Sequence, residues 1–158
     1  MLLLAQIALT ATISKSGVGP VKFGMTPAQA AAAGVALTPA GNAGACYVVH
    51  PASPQGVSFV VSAGKIVRAD IVKPAKLKTV DGFTFGDVEG NVAGFYAATP
   101  GGVTDEPLGD TDITVLASPE FSAGASIPRL VYELHDQSGV LAIHAGYVPR
   151  GFNPHGCK

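Results

Sequence analysis

The chain has 158 residues, of which 13% are charged, and its formal net charge is −1 at neutral pH. This length is enough for one ordinary domain with an apolar core. The near-neutral balance excludes the basic surface that nucleic-acid-binding proteins use. No apolar run reaches the roughly 18 residues of a membrane-spanning helix. We therefore expect neither a nucleic-acid partner nor a transmembrane segment.

The first 16 residues allow two interpretations. Residues 1–13 form an apolar run of suitable length for a signal peptide, and Ala11 could precede a cleavage point. No Lys or Arg precedes that run, and the stretch "AQIALTATI" is also typical of a strand because it is half alternating and ends in β-branched residues. Both a cleaved signal peptide and a first strand therefore remain open for 1–16.

The stretch "VGPVKFGMTPAQA" predicts a brief strand, a bend at Gly24 and a short helix. Thr26 is a suitable N-cap and Pro27 suits the first helical position. Gln29 can complete a capping box, and Gly34 is expected to end the helix.

The stretch "VSFVVSAGKIVRADIV" predicts a β-hairpin whose two-residue turn is Ala63-Gly64. That turn would place Phe59 opposite Arg68 and Val57 opposite Asp70. An Arg beside an apolar strand face suits the capture of a carboxylate, so Phe59, Arg68 and Asp70 are candidate binding residues. The favoured interpretation of Arg68 and Asp70 is nevertheless a partly buried ion pair or a charge at the rim of the sheet face.

The second half of the chain repeats this order of elements. The stretch "FTFG" predicts a strand, Asp87 a helix cap, and "RLVYELHDQSGVLAIHAGY" a second hairpin. The predicted organisation is a first repeat unit at 17–73, a linker at 74–79 and a second repeat unit at 80–158. The expected fold class is α+β, with two related helix-plus-antiparallel-strand units that share one core.

The second unit carries an inserted acidic loop at 99–112. Loops of this length are uncommon unless they are functional or disordered. Its carboxylates are candidates for contact with a partner, and the pattern of a calcium loop is incomplete there. The four acidic residues are Asp105, Glu106, Asp110 and Asp112.

The second hairpin contains the most suggestive polar set, Glu133, His135 and His144. A loop at Ser138-Gly139 would set Glu133 opposite His144, and a four-residue loop would keep all three side chains on the same face. These residues could bind a metal, or a His could act as a general base oriented by Glu133. The favoured interpretation is a polar, solvent-facing side of the strand pair.

Two cysteines, Cys46 and Cys157, are the only ones in the chain. Cys46 begins a predicted strand, and Cys157 lies in a Gly- and Pro-rich tail that needs an anchor. We predict a disulfide between them, which is typical of exported proteins.

The motif "GPVKFGMTPAQA" resembles a signature of the small bacterial outer-membrane-assembly lipoproteins and of the secreted β-lactamase inhibitor proteins. It also resembles secreted proteins in which this motif precedes a Cys-bearing strand and a "GxIxRxxV" hairpin. The resemblance implies tandem helix-plus-strand units. No cysteine directly follows the apolar segment at the start of the chain, since the first is Cys46, so lipid anchoring is not expected.

The function expected from the sequence is that of a secreted or periplasmic, non-enzymatic binding protein. Its partner would be another protein or a component of the cell envelope, contacted through a sheet face and the acidic loop. No cofactor is expected. The alternative is a small metal-dependent or hydrolytic enzyme centred on Glu133, His135 and His144.

Overall fold

The computed structural model describes residues 11–98, 127–148 and 157, together with the backbone of 104–107 and 113–117. Two helices and eight strands lie in the described residues 11–98. These are β1 (Thr12–Ser14), β2 (Gly17–Val18), β3 (Val21–Lys22), α1 (Pro27–Ala32), β4 (Leu37–Pro39), β5 (Cys46–Pro51), β6 (Val57–Ser62), β7 (Lys65–Val72), β8 (Lys78–Thr79) and α2 (Glu89–Ala97). Four strands follow: β9 (Thr104–Pro107), β10 (Ile113–Ala117), β11 (Arg129–His135) and β12 (Gly139–Gly146).

The strands form two sheets. The smaller sheet has the order β3-β2-β1-β8, and the larger one has the order β4-β5-β6-β7-β12-β11-β10-β9. Strands β4 to β7 and β9 to β12 each run as consecutive antiparallel neighbours, and the last strands of the two runs, β7 and β12, pair at the centre.

The predicted α+β class with two helix-plus-strand units is wrong, because the fold is mostly β-sheet and the two helices have only six and nine residues. The stretch 83–86 does not form the predicted strand. Strand β8 arises within the stretch predicted as a linker, 74–79, and pairs in parallel with β1. Ala75 and Leu77 of that stretch are buried in the core, so it is an integral part of the fold.

The two helices begin differently. Helix α1 has the predicted capping box, in which the Thr26 side chain accepts from the Gln29 backbone N–H and the Gln29 side chain accepts from the Thr26 N–H. Helix α2 begins after Val88, which provides no side-chain cap. Asp87 is not the N-cap that the sequence suggested; its Oδ2 accepts a 2.7 Å hydrogen bond from the backbone N–H of Thr84.

One face of the large sheet, called here the core face, packs against the small sheet and carries the apolar core. Strand β1 contacts β12, and β2 contacts β7. The largest fully buried side chains of this cluster include Tyr132, Phe59, Ile13, Ile66 and Ile71. The opposite side of the large sheet is called the second face.

Two β-bulges decide which side chains lie on the second face. In the first hairpin Val61 pairs with Ile66 but Val60 pairs with Arg68, so Val67 is an extra residue. Because side chains alternate along a strand, the extra residue moves Arg68 and Asp70 away from the core face. The predicted pairing of Phe59 with Arg68 is therefore wrong: Phe59 pairs with Ala69 and stays in the core.

The second bulge lies between the pairs Leu134–Val140 and Glu133–Ala142, where Leu141 is the extra residue. Val140 and Ile143 both belong to the core, although an uninterrupted strand would place them on opposite faces. His144, which follows Ile143, is thereby turned to the second face.

Both outer strands of the large sheet end on a proline, Pro39 in β4 and Pro107 in β9. Proline lacks the backbone N–H that a further strand would need, and edge strands with proline resist pairing with other chains. Neither α1 nor α2 is long or apolar enough to cross a membrane.

Candidate functional site

Four ionisable side chains meet on the second face, across three neighbouring strands. Arg68 and Asp70 come from β7, His144 from β12 and Glu133 from β11. Asp70 is the direct cross-strand partner of His144, and Glu133 lies two residues from Val131, the partner of His144 on its other side. We call these four residues the charge network.

The charge network is a continuous chain of short contacts. Arg68 Nη2 donates to Asp70 Oδ2 at 2.9 Å, and Arg68 Nε lies 2.8 Å from Asp70 Oδ1. His144 Nδ1 lies 2.6 Å from Asp70 Oδ1, and His144 Nε2 lies 2.8 Å from Glu133 Oε1. All four residues are buried, and His144 is only 1% exposed. Positive and negative groups alternate along the chain.

His144 is held as an imidazolium by its two carboxylate partners. Burial opposes the charged form, but the hydrogen bonds to Asp70 and Glu133 outweigh this effect and raise the pKa of His144 above 6.5. An imidazolium that donates through both nitrogens has no lone pair for a metal ion or for accepting a proton. The described residues contain no group of three or more His, Cys, Asp or Glu side chains arranged to hold a metal.

The charge network differs from the polar set expected from the sequence. Glu133 and His144 do meet, but the interpretation of their face as solvent-exposed is wrong because both side chains are buried. His135 stands apart: it pairs with Gly139 across the turn, and its Nδ1 accepts a 3.3 Å hydrogen bond from the Gln137 backbone. Asp70, which the sequence offers either as an ion-pair partner of Arg68 or as a binding residue, completes the network because it contacts His144 as well as Arg68.

Stability is expected to fall on the alkaline side because of His144. A pKa that is higher in the folded than in the unfolded state stabilises the fold fully below about pH 6.5, and this stabilisation is lost as pH rises through the folded pKa. Urea unfolding from about pH 6 to about pH 9 measures the decline.

The matched controls are His144→Gln and His135→Gln. The first removes the titrating group and is expected to flatten the decline, whereas the second changes a histidine outside the network and is expected to keep it. An equal alkaline decline in wild type and His144→Gln would contradict the assignment.

A cavity of about 450 Å³ opens on the second face beside the charge network. Its apolar wall is formed by Ala40, Val48 and Val72, and its polar wall by His50, Ser58 and Asp70. Gly56 and Val57, whose side chain belongs to the core, complete the lining. A volume of this size lies in the range of small-molecule sites. Asp70 thus belongs both to the charge network and to the cavity wall.

Gly56 fixes one rim of the cavity. Its O accepts a 2.8 Å hydrogen bond from the N–H of Val72, and its φ is +82°. A Cβ atom at this position would lie 2.2 Å from the Val72 carbonyl oxygen and 2.9 Å from the Ala75 N. Only glycine therefore allows the loop before β6 to approach the end of β7 so closely.

A second polar group lies on the core face, where Tyr96 of α2 meets Tyr132 of β11. Tyr96 donates to Asp81 Oδ2 at 2.6 Å, so the 2.8 Å contact between the two hydroxyls has Tyr132 as donor. Burial is the main cause that raises the pKa of Tyr132 to about 12 and raises the pKa of Tyr96 further. Both rings pack against Phe83, and the group fastens α2 to the large sheet. No local sequence pattern identifies this pair because 36 positions separate the two tyrosines.

The predicted acidic loop is in part a strand, since residues 104–107 form β9. Glu106 pairs with Val115, which pairs with Glu133, so Glu106 shares a register row with the charge network. The side chains of Asp105 and Glu106, and the residues Asp110 and Asp112, lie outside the described part of the structure. The first ten residues of the predicted signal peptide or strand also lie outside it, whereas Thr12–Ser14 form β1.

The predicted disulfide between Cys46 and Cys157 is confirmed. Their Cα atoms lie 5.8 Å apart, and the bond links residues separated by 111 positions. It anchors the penultimate residue of the chain to the first residue of β5, whose later residues Val48 and His50 line the cavity.

Comparisons with protein-family models, with curated proteins and with solved structures found no match to this chain. The charge network and the cavity beside it are therefore the features from which a function can be inferred.

Proposed function

We propose that this protein is a secreted or periplasmic, non-enzymatic binding protein whose ligand occupies the cavity on the second face. The observation that carries the proposal is the position of Asp70, which is fixed by the charge network and also faces the cavity. A polar group held by several short contacts, beside apolar walls, is the usual composition of a binding site.

Two further observations support a role in binding rather than in catalysis. Both nitrogens of His144 are used by carboxylates, so this histidine has no basic site to offer a substrate. Ser58 Oγ donates to the backbone oxygen of Asp70 at 3.4 Å, and its cross-strand neighbour Asp70 lies between it and His144. Covalent catalysis requires a nucleophile in contact with a general base. Ser58 and His144 do not make such a contact.

The proposed location outside the cytoplasm has two sources of support. Structural disulfides persist in oxidising compartments, and the Cys46–Cys157 bond is of this kind. The motif at residues 19–30 resembles that of secreted bacterial proteins. The partner that presents the ligand would be another protein or a component of the cell envelope.

The test is a screen of small compounds by thermal shift on the full chain, with two matched variants. Val72→Lys places a long cation at the cavity, where Val72 is 43% exposed; Val88→Lys makes the same change at the start of α2, where Val88 is 55% exposed. We expect the screen to find compounds that raise the Tm of wild type and of Val88→Lys but do not change the Tm of Val72→Lys.

Since both positions are exposed, the Tm values of the two unliganded variants should stay close to that of wild type. The absence of any stabilising compound, or compounds that stabilise Val72→Lys equally well, would overturn the proposed function.

A further inference from the structure

The polar wall of the cavity consists of acceptors. His50 Nδ1 lies 3.4 Å from the carbonyl oxygen of Val57, which can only accept, so the proton is on Nδ1 and Nε2 is an acceptor in the neutral ring. The Ser58 hydroxyl donates its proton to the backbone carbonyl of Asp70, and its oxygen lone pairs can still accept a hydrogen bond. Asp70 Oδ2 accepts one bond, from Arg68, and a carboxylate oxygen has room for a second.

The described residues that line the cavity offer no cation to an anionic ligand. Neither Lys nor Arg is among its lining residues, and the Arg68 guanidinium is directed at the carboxylate of Asp70 by two contacts. A carboxylate or phosphate ligand would therefore meet only the acceptors of Asp70, Ser58 and His50, without a donor of its own, which is costly in a partly buried site. The rest of the wall is apolar and suits a short hydrocarbon chain.

From this arrangement we infer that the cavity binds a primary alkylammonium group, with the ammonium at Asp70, Ser58 and His50 and the alkyl chain along Val48 and Val72. An ammonium has three N–H donors and no acceptor, which matches three acceptors on the wall. The same chemistry occurs in a free alkylamine and in the side chain of lysine. This inference rests on the proposed function and names the class of ligand for the same cavity.

The test is isothermal titration calorimetry at about pH 8 on the full, disulfide-bonded chain, a pH at which a primary alkylamine is still protonated. The probes are n-butylamine, n-butanol and butyrate, which share a short alkyl chain, together with a short peptide that contains one lysine. We expect butylamine to bind with a Kd of about 1 mM, which is reasonable for so small a ligand, and butanol and butyrate to bind at least about tenfold more weakly.

Two variants locate the ammonium. Ser58→Ala removes one acceptor and is expected to weaken butylamine binding about tenfold, the loss of one hydrogen bond to a charged group. Val72→Lys is expected to abolish binding by repulsion, and Val88→Lys to preserve it. Tighter binding of the lysine peptide than of butylamine would identify a protein as the source of the group, and the reverse would identify a free amine; both results support the inference.

The failure of this inference is distinguishable from the failure of the proposed function. If butanol or butyrate binds as tightly as butylamine and Val72→Lys abolishes that binding, the cavity is a binding site for another class and the inference is overturned. If no probe binds and the wider screen also gives none that depends on Val72, both are overturned.

Discussion

Asp70→Asn is expected to lower the free energy of unfolding by about 3–5 kcal/mol, which is the usual cost of removing one member of a buried ion pair. The substitution keeps the shape of the side chain and removes its charge. Arg68 and His144 would then share a neutral amide, although both are buried and positively charged. Urea unfolding by circular dichroism measures the loss.

The control for this variant is Asp136→Asn, which makes the same chemical change at an exposed position in the turn between β11 and β12. We expect a change within about 0.5 kcal/mol there. Adding Arg68→Met to Asp70→Asn removes the cation left without its partner, so the double variant should lose less stability than the sum of the single losses. Additive losses, or an Asp70→Asn variant as stable as wild type, would contradict the network.

Removal of the disulfide is the second large effect expected. Replacing Cys46 and Cys157 together by Ala opens a closed loop whose ends are 111 positions apart in the sequence. For a loop of this length, the chain-entropy treatment gives a decrease of about 4–5 kcal/mol in the free energy of unfolding. The loss arises chiefly in the unfolded state, which becomes more expanded, so the slope of unfolding free energy against urea should also rise.

Reductant provides the internal control for the disulfide. It is expected to lower the stability of wild type to that of the double alanine variant and to leave that variant unchanged. Reduced and oxidised wild type of equal stability would show that the bond does not contribute to the fold.

Local signals in the sequence predicted local structure well. The Thr26–Gln29 capping box, the first hairpin turn and the disulfide were each predicted from a short pattern or from the cysteine count, and each is present. Such features depend on contacts between neighbouring residues or on a single available pairing, and the rest of the fold does not change them.

The class of the fold and the charge network could not be predicted in this way, because both depend on pairings between distant segments. Strand β8 exists only because β1 lies beside it, and His144 meets Asp70 across 74 positions of sequence. A signal for the network was nevertheless present in the alternation of apolar residues. The apolar residues Ile66, Ala69 and Ile71 do not keep a single alternating pattern along the strand, because three positions separate the first two and two positions separate the last two. This break in alternation indicates an extra residue between Ile66 and Ala69, both of which face the core.

The bulges at Val67 and Leu141 have a consequence for how such a site can arise in a gene. Each adds one residue to a strand and so reverses the direction of the side chains beyond it, without altering the apolar residues nearer the turn. A single inserted codon in each hairpin is thus enough to carry Arg68, Asp70 and His144 out of the hydrophobic interior and bring them together on the other face. In this fold the chemistry of a surface is set by the number of residues in a strand as much as by their identity.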